Sequence, residues 1–159
     1  MMTRRAIVRL LVFSLSTNAA SSPLWAGVPA RKATYRGGTL SGVELYQPGE
    51  LLLTAPDRLV FDAHGFHVEV AYRSIRSLEY GQKTGRRLGL AIVVSPLFLL
   101  SKKRKHYLTI YFVDESGVAQ VAVFELGKKI VRTTLAALSA RTGLRIEYQD
   151  EEARKAGGL

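Results

Sequence analysis

Short apolar stretches separated by turn-forming residues dominate this chain from about residue 50 onward. Three of them are Glu50–Ala55, Arg58–Ala63 and Phe66–Ala71, with Pro56-Asp57 and His64-Gly65 between them. In the third stretch, apolar and polar residues alternate. Because successive side chains of a β-strand point to opposite faces, the pattern predicts three consecutive strands joined by tight turns.

The middle of the chain continues the strand pattern. Tyr72–Tyr80 has two apolar residues three apart, which predicts a short helical turn that runs into a strand. Tyr107–Val113 alternates and Val118–Leu126 returns as its partner. The residues between them, Asp114–Gly117, are types that tolerate turn geometry, so we expect a β-hairpin here.

Towards the C-terminus the apolar period changes from two to that of a helix. Lys128–Thr142 has apolar residues at helical spacing, and Gly143 stands where a C-terminal glycine cap belongs. Leu144–Tyr148 alternates again and predicts a last short strand. The predicted fold class is therefore mainly β with one C-terminal α-helix. We expect a curled antiparallel sheet, or a partly open barrel, capped by one amphipathic helix.

This order resembles the pleckstrin-homology-like and GRAM-like domains. The resemblance lies in the meander Glu50–Ala71, the stretch Val70–Tyr80, the hairpin Tyr107–Leu126 and the closing helix Lys128–Thr142. It implies a fold of the pleckstrin-homology type. Phosphoinositide sites of that family usually use basic residues in the loop after the first strand, and here that loop is only Ala55–Arg58. The resemblance therefore does not extend to headgroup recognition.

One apolar run differs from the predicted strands. Leu88–Leu100 is bracketed by Arg86–Arg87 and Lys102–Lys105, and no acidic residue lies between Glu79 and Asp114. Full burial of a large apolar side chain is worth roughly 1.5–3 kcal/mol. The run must therefore be covered by something other than water.

Three covers are compatible with this segment. The first is the domain's own core. The second is one leaflet of a bilayer, entered by a hairpin bent at Ser95-Pro96, because the run is shorter than the ~20 residues of a spanning helix. The third is another protein chain. The residues expected to contact a membrane or a partner are Arg86, Arg87, Leu97, Phe98, Leu99, Leu100, Lys102, Lys103, Arg104 and Lys105.

The N-terminus predicts export. Arg4 and Arg5 precede the short apolar stretch Ala6–Leu15, which is the layout of a secretory signal peptide, and cleavage is expected after Ala20 or Ala26. The expected location is periplasmic or extracellular. The expected organisation is a signal peptide over 1–26, a linker over 27–42, a pleckstrin-homology-like domain over 43–148 with an insertion at 83–106, and a flexible charged tail over 149–159.

The charge is concentrated in one element. The chain has 23 Lys and Arg against 13 Asp and Glu. Without the three arginines of the signal peptide and the basic residues of Lys83–Lys105, basic and acidic residues are equal in number. Tyr107 and Tyr111 share one face of the hairpin beside basic residues, but the charges do not follow the sheet, so no nucleic-acid partner is expected.

The sequence offers little catalytic chemistry. Asp62, His64 and His67 are close together, but one carboxylate and two histidines around a turn are typical of exposed polar residues at a strand end. Gly81–Arg87 lacks the ending of a phosphate loop, and there is no cysteine. We therefore predict a non-enzymatic protein without metal or cofactor. It associates peripherally with an anionic membrane, or alternatively serves as a protein-interaction domain.

Overall fold

The computed structural model describes residues 28–82, 93–94 and 105–158, with the side chains of 32–82 and 105–158. The expected signal peptide lies outside the described residues. So do all the expected membrane or partner contacts except Lys105.

Strands dominate the described part of the chain, and two helices follow them. Short 3₁₀ turns, Tyr72–Ser74 and Lys128–Ile130, precede β5 and the first helix. The elements are β1 (Val28–Gly38), β2 (Pro48–Leu53), β3 (Arg58–Ala63), β4 (Phe66–Ala71), β5 (Ile75–Gly81), β6 (Val93–Val94), β7 (His106–Val113), β8 (Ala119–Leu126), α1 (Val131–Thr142), β9 (Ile146–Tyr148) and α2 (Glu151–Gly157).

All these strands belong to one open sheet. Among the described residues they pair in the order β4-β3-β2-β1-β8-β7-β5-β9, and β6 also pairs with β1. Neighbours are antiparallel except β5 and β9, which are parallel. The prediction of a mainly β fold with a curled, open antiparallel sheet and a C-terminal helix is confirmed.

The main core lies between one face of the sheet and α1. Leu135 and Leu138 of α1 are fully buried against strand residues such as Leu78 and Leu108. Phe61 of β3 packs against Phe124 of β8, with ring centroids 4.9 Å apart. The helix ends at Gly143, which adopts φ 71° and donates its N–H to the carbonyl of Ser139, as the sequence predicted.

The prediction of a linker over 27–42 is wrong for most of that segment. Val28–Gly38 form β1, which lies inside the sheet between β2 and β8. Ala33 and Tyr35 are buried, whereas Thr34 and Arg36, which alternate with them along the strand, are partly exposed. The alternation typical of a strand was present, but the glycines and small residues around it concealed it.

The prediction of a flexible tail over 149–159 is wrong for Glu151–Gly157, which form α2. The Asp150 side chain accepts a hydrogen bond from the Ala153 N–H at 2.7 Å, which is an N-terminal cap. Ala153 is fully buried and Ala156 packs against the core. The acidic residues at the start of the tail thus begin a docked helix.

Strand β7 is buried on both faces. Leu108 and Ile110 belong to the main core, as the alternation predicted. On the opposite face, Tyr107 is 4%, Thr109 is 3% and Val123 of β8 is 2% exposed, although none of them belongs to that core. The sheet therefore has a second apolar surface at β7 and β8.

Candidate functional site

The segment that carries the expected membrane contacts leaves and rejoins the sheet at one end. β5 ends at Gly81 and β7 begins at His106, and these antiparallel neighbours pair Gly81 with Tyr107. Residues 83–104 therefore connect the neighbouring ends of two adjacent strands.

The middle of the apolar run is tied to the sheet through its backbone. Val94 pairs with Gly37 and Val93 with Gly38, both in antiparallel register. On its other side, the same part of β1 pairs with β8. The run is thus paired with the sheet at these two residues, on the side of β1 that faces away from β8, β7 and β5.

Lys105 is the expected contact residue whose position the structure describes. Its Nζ lies 3.0 Å from Glu125 Oε2, and Arg36 forms an ion pair with the same carboxylate. Arg36 also lies over the ring of Tyr46, 4.6 Å from its centroid. Lys105 therefore contributes to a surface network at the start of β7, and its charge is shared with Glu125.

A cavity of about 560 Å³ opens beside this end of the sheet. Its wall combines the end of β5, the start of β7, the 3₁₀ turn before α1, and both helices. Four of the lining side chains are cationic and one is acidic. The lining residues are Gln82, His106, Lys128, Lys129, Arg132, Glu152, Lys155 and Ala156.

Local sequence explains how the cations converge. Lys128 and Lys129 occupy the turn that links β8 to α1, and Arg132 is in the first helical turn, four residues after Lys128. Residues four apart lie on one side of a helix. Lys155 arrives from α2, which the burial of Ala153 holds against the core.

His106 lines the cavity and contacts the hydroxyl of Tyr80. His106 Nδ1 and the Tyr80 hydroxyl are 2.5 Å apart, and the two rings stack at an angle of 10°. Burial raises the pKa of Tyr80 to about 12, so the hydroxyl keeps its proton. Burial, with the charge of Lys128 as a second cause, lowers the pKa of His106. If the imidazole is neutral and its Nδ1 accepts the hydrogen bond from the Tyr80 hydroxyl, its own proton is on Nε2.

A second cavity, of about 550 Å³, contains ion pairs between its own lining residues. Arg58 binds both Asp57 and Glu69, and hydrogen bonds from Arg58 are the largest cause of the lowered pKa of each carboxyl. Arg141 donates to the carbonyl of Ala55. Arg58 and Arg141 of this cavity therefore already have acceptors.

One carboxylate, Glu79, is buried on the second face of the sheet. It is 5% exposed and accepts hydrogen bonds from Gln149 Nε2 at 3.1 Å and from the Tyr111 hydroxyl at 3.5 Å. Sequence reasoning missed this group, because the pairing of β5 with β7 and the docking of residue 149 are tertiary features. Neutral donors satisfy Glu79, which fits a structural role.

The residues considered for a metal lie on exposed strands. Asp62 pairs with His67 across β3 and β4, and His67 Nε2 lies 3.3 Å from Glu69 Oε1. His64 is exposed in the turn between the two strands. In the part of the chain that the structure describes, no group of three or more His, Asp or Glu side chains is placed to hold a metal ion.

The sequence analysis missed the cavity cations Lys128, Lys129, Arg132 and Lys155. Counted along the chain, they were balanced by acidic residues elsewhere. The available signal was the spacing of Lys128 and Arg132 around the start of a predicted helix. Lys155 gave no comparable signal, since it lay in a segment interpreted as a tail.

Comparison with protein-family models gives no match for this chain, and comparison with curated proteins gives none either. Among the described residues, no helix combines the length and the apolar character that crossing a bilayer requires. The function must therefore be argued from the residues themselves.

Proposed function

We propose that this protein is an exported, non-enzymatic module that associates peripherally with anionic membrane surfaces through the segment 86–105. The observation that carries the proposal is the position of that segment. It leaves β5 and enters β7 at the end of the sheet where Lys128, Lys129, Arg132 and Lys155 also lie. Gln82 and His106, which border the segment at its two junctions with the sheet, line the same cavity as these four cations.

The energetics favour a combined apolar and electrostatic contact. Leu97–Leu100 supplies several large apolar side chains, each worth roughly 1.5–3 kcal/mol when buried. Each flanking Lys or Arg adds about 1 kcal/mol near an anionic surface. Apolar burial therefore provides most of the affinity, and the charges select anionic surfaces.

Co-sedimentation with vesicles tests this proposal. The protein without its signal peptide should bind vesicles of phosphatidylglycerol and phosphatidylcholine, and should bind phosphatidylcholine alone weakly. The double variant Leu97→Asp/Phe98→Asp should lose this binding while its urea-unfolding midpoint stays close to that of the wild type. Equal vesicle binding by the wild type and the double variant would refute the membrane proposal.

A second candidate is that the segment packs on its own sheet or docks a protein partner. Two observations favour it: the pairing of Val93–Val94 with β1, and the burial of Tyr107, Thr109 and Val123 on the second face. In that case Leu97→Asp/Phe98→Asp should lower the unfolding midpoint strongly. A partner or self-association would instead appear as a size-exclusion shift of the intact protein that the same variant abolishes.

Export is part of the proposal and has its own test. Cleavage after Ala20 retains Trp25, whereas cleavage after Ala26 removes the single tryptophan of the chain. Intact-mass measurement of the secreted form, together with its tryptophan fluorescence, distinguishes the two sites. Recovery of full-length chain from the cytoplasmic fraction alone would contradict export.

The resemblance to pleckstrin-homology-like and GRAM-like domains belongs to the same proposal. It is supported by the antiparallel order of β1 to β4, the β7–β8 hairpin and the helix α1 that packs on the sheet. The membrane proposal does not depend on it, because the cationic end described above is not the loop after the first strand.

A further inference from the structure

The cations around the cavity of Lys128, Lys129, Arg132 and Lys155 have no acidic partner among the described residues. Other cations of the protein do: Arg36 pairs with Glu125, for example. The cavity therefore holds four cations against one carboxylate, Glu152, and has an excess of positive charge. Hereafter it is called the cationic cavity.

The helix that borders the cationic cavity makes this accumulation more costly. The N-terminal end of a helix carries partial positive charge, so acidic residues normally stabilise it. The first turn of α1 contains no acidic residue, and Arg132 lies in it, directly after Lys128 and Lys129. An anion bound among these side chains would reduce the repulsion between the cations and would be attracted by the partial positive charge of the helix N-terminus.

Arg132 is positioned by a close backbone contact. Gly158 adopts φ +64°, and a Cβ at that position would lie 2.5 Å from the guanidinium carbon Cζ of Arg132. The side chain thus rests against the end of α2, in space that only glycine leaves open. The guanidinium of Arg132 is exposed and lies beside the end of α2, the helix that also carries Lys155.

An unsatisfied buried atom lies at the wall of the same cavity. Gln82 Oε1 is buried and has no hydrogen-bond partner among the described residues. A buried polar atom without a partner is costly and is commonly explained by a missing ligand or water. The Gln82 side chain as a whole is only partly buried, and rotation of its amide into the cavity would bring a donor and an acceptor to a bound phosphate.

We propose that the cationic cavity binds a phosphate group, with Arg132 and Lys155 as its principal charged contacts. The guanidinium offers paired donors that match phosphate oxygens, and the ammonium supplies a mobile point charge. The phosphate is that of a lipid headgroup or of free inorganic phosphate. The site uses residues outside the segment 86–105, so it goes beyond the proposed membrane contact.

Calorimetric titration of the protein with inorganic phosphate, in a buffer of constant ionic strength, tests the site. The wild type should bind with one site per chain. The double variant Arg132→Gln/Lys155→Gln should bind at least about tenfold more weakly, because two charge-assisted contacts are removed. The matched control Arg76→Gln/Arg145→Gln removes two exposed charges outside the cavity and should bind like the wild type.

Competition identifies the source of the phosphate. Displacement of inorganic phosphate by vesicles that contain phosphatidic acid, but not by phosphatidylcholine vesicles, assigns the site to a lipid headgroup. Binding that neither vesicle displaces assigns it to free phosphate. The absence of phosphate binding by the wild type, or equal binding by the cavity variant and the control, overturns the proposal.

The same reagents separate this inference from the proposed function. Leu97→Asp/Phe98→Asp should lose binding to phosphatidylglycerol vesicles and keep binding inorganic phosphate. Arg132→Gln/Lys155→Gln should lose phosphate and retain the apolar part of vesicle binding. If the first variant keeps vesicle binding, only the membrane proposal is contradicted. If the second variant keeps phosphate binding, only the phosphate site is contradicted.

Discussion

His106 joins the start of β7 to the buried hydroxyl of Tyr80 and also lines the cationic cavity. Burial, then the charge of Lys128, lowers its pKa, and Glu125 opposes this only in part. The folded state therefore binds a proton at His106 less readily than the unfolded chain, whose histidine titrates near pH 6.5. A side chain of this kind links the stability of the fold to pH.

We predict that the free energy of unfolding falls as pH drops below about 6.5, because the unfolded chain takes up the proton first. Above that pH both states are neutral at His106 and the effect vanishes. His106→Gln retains a polar partner for Tyr80 and should give a flatter dependence between about pH 7.5 and 5.5. Urea unfolding across this range measures the difference, and identical slopes for both proteins would contradict the assignment. His67→Gln, at an exposed position on β4, is the matched control.

Helix α2 is the element that converts a charged C-terminal stretch into part of a site. Its cap at Asp150 accepts the Ala153 N–H, and its small residues face inward: Ala153 is fully buried, Ala156 packs on the core and Gly157 lies against Tyr148. The helix thereby brings Lys155 to the cationic cavity. Its stability should therefore affect both the fold and the cavity.

Asp150→Ala should lower the free energy of unfolding by about 1 kcal/mol, which is typical for loss of an N-terminal cap. Asp150→Asn should be close to the wild type, because asparagine caps equally well. Urea unfolding and far-ultraviolet circular dichroism measure the two variants. If both lose the same stability, the charge of Asp150 matters and the cap does not.

The elements that the sequence predicted well are those whose side-chain pattern is set by one buried face. β3 and β4 begin and end where the alternation placed them, and Tyr72–Tyr80 is the expected turn followed by a strand. β1 was missed because glycines near its end resemble a linker. α2 was missed because its buried face consists of alanine and glycine, which carry little hydrophobic signal.

At the scale of the whole molecule, tertiary structure brings four cations together at one cavity. The charged flanks of the apolar run were visible in the sequence as a local cluster. The cations of the cavity come from a turn and two helices, and no window along the chain contains them together. Composition therefore indicated a neutral body, whereas the fold places a local excess of positive charge at the cationic cavity.

The excess of positive charge at the cationic cavity predicts how salt should affect membrane binding. Lys128→Gln/Lys129→Gln removes two charges from the cationic end and should weaken binding to anionic vesicles by about 2 kcal/mol at low salt, roughly 30-fold in partition coefficient. In about 0.5 M NaCl the screening length is only a few ångströms, so the variant and the wild type should converge on the apolar contribution. The control Arg76→Gln/Arg145→Gln changes the net charge equally. If the control weakens binding as much, vesicle binding depends on the net charge of the protein and not on where the charges lie. If only Lys128→Gln/Lys129→Gln weakens binding, the cationic cavity faces the anionic surface.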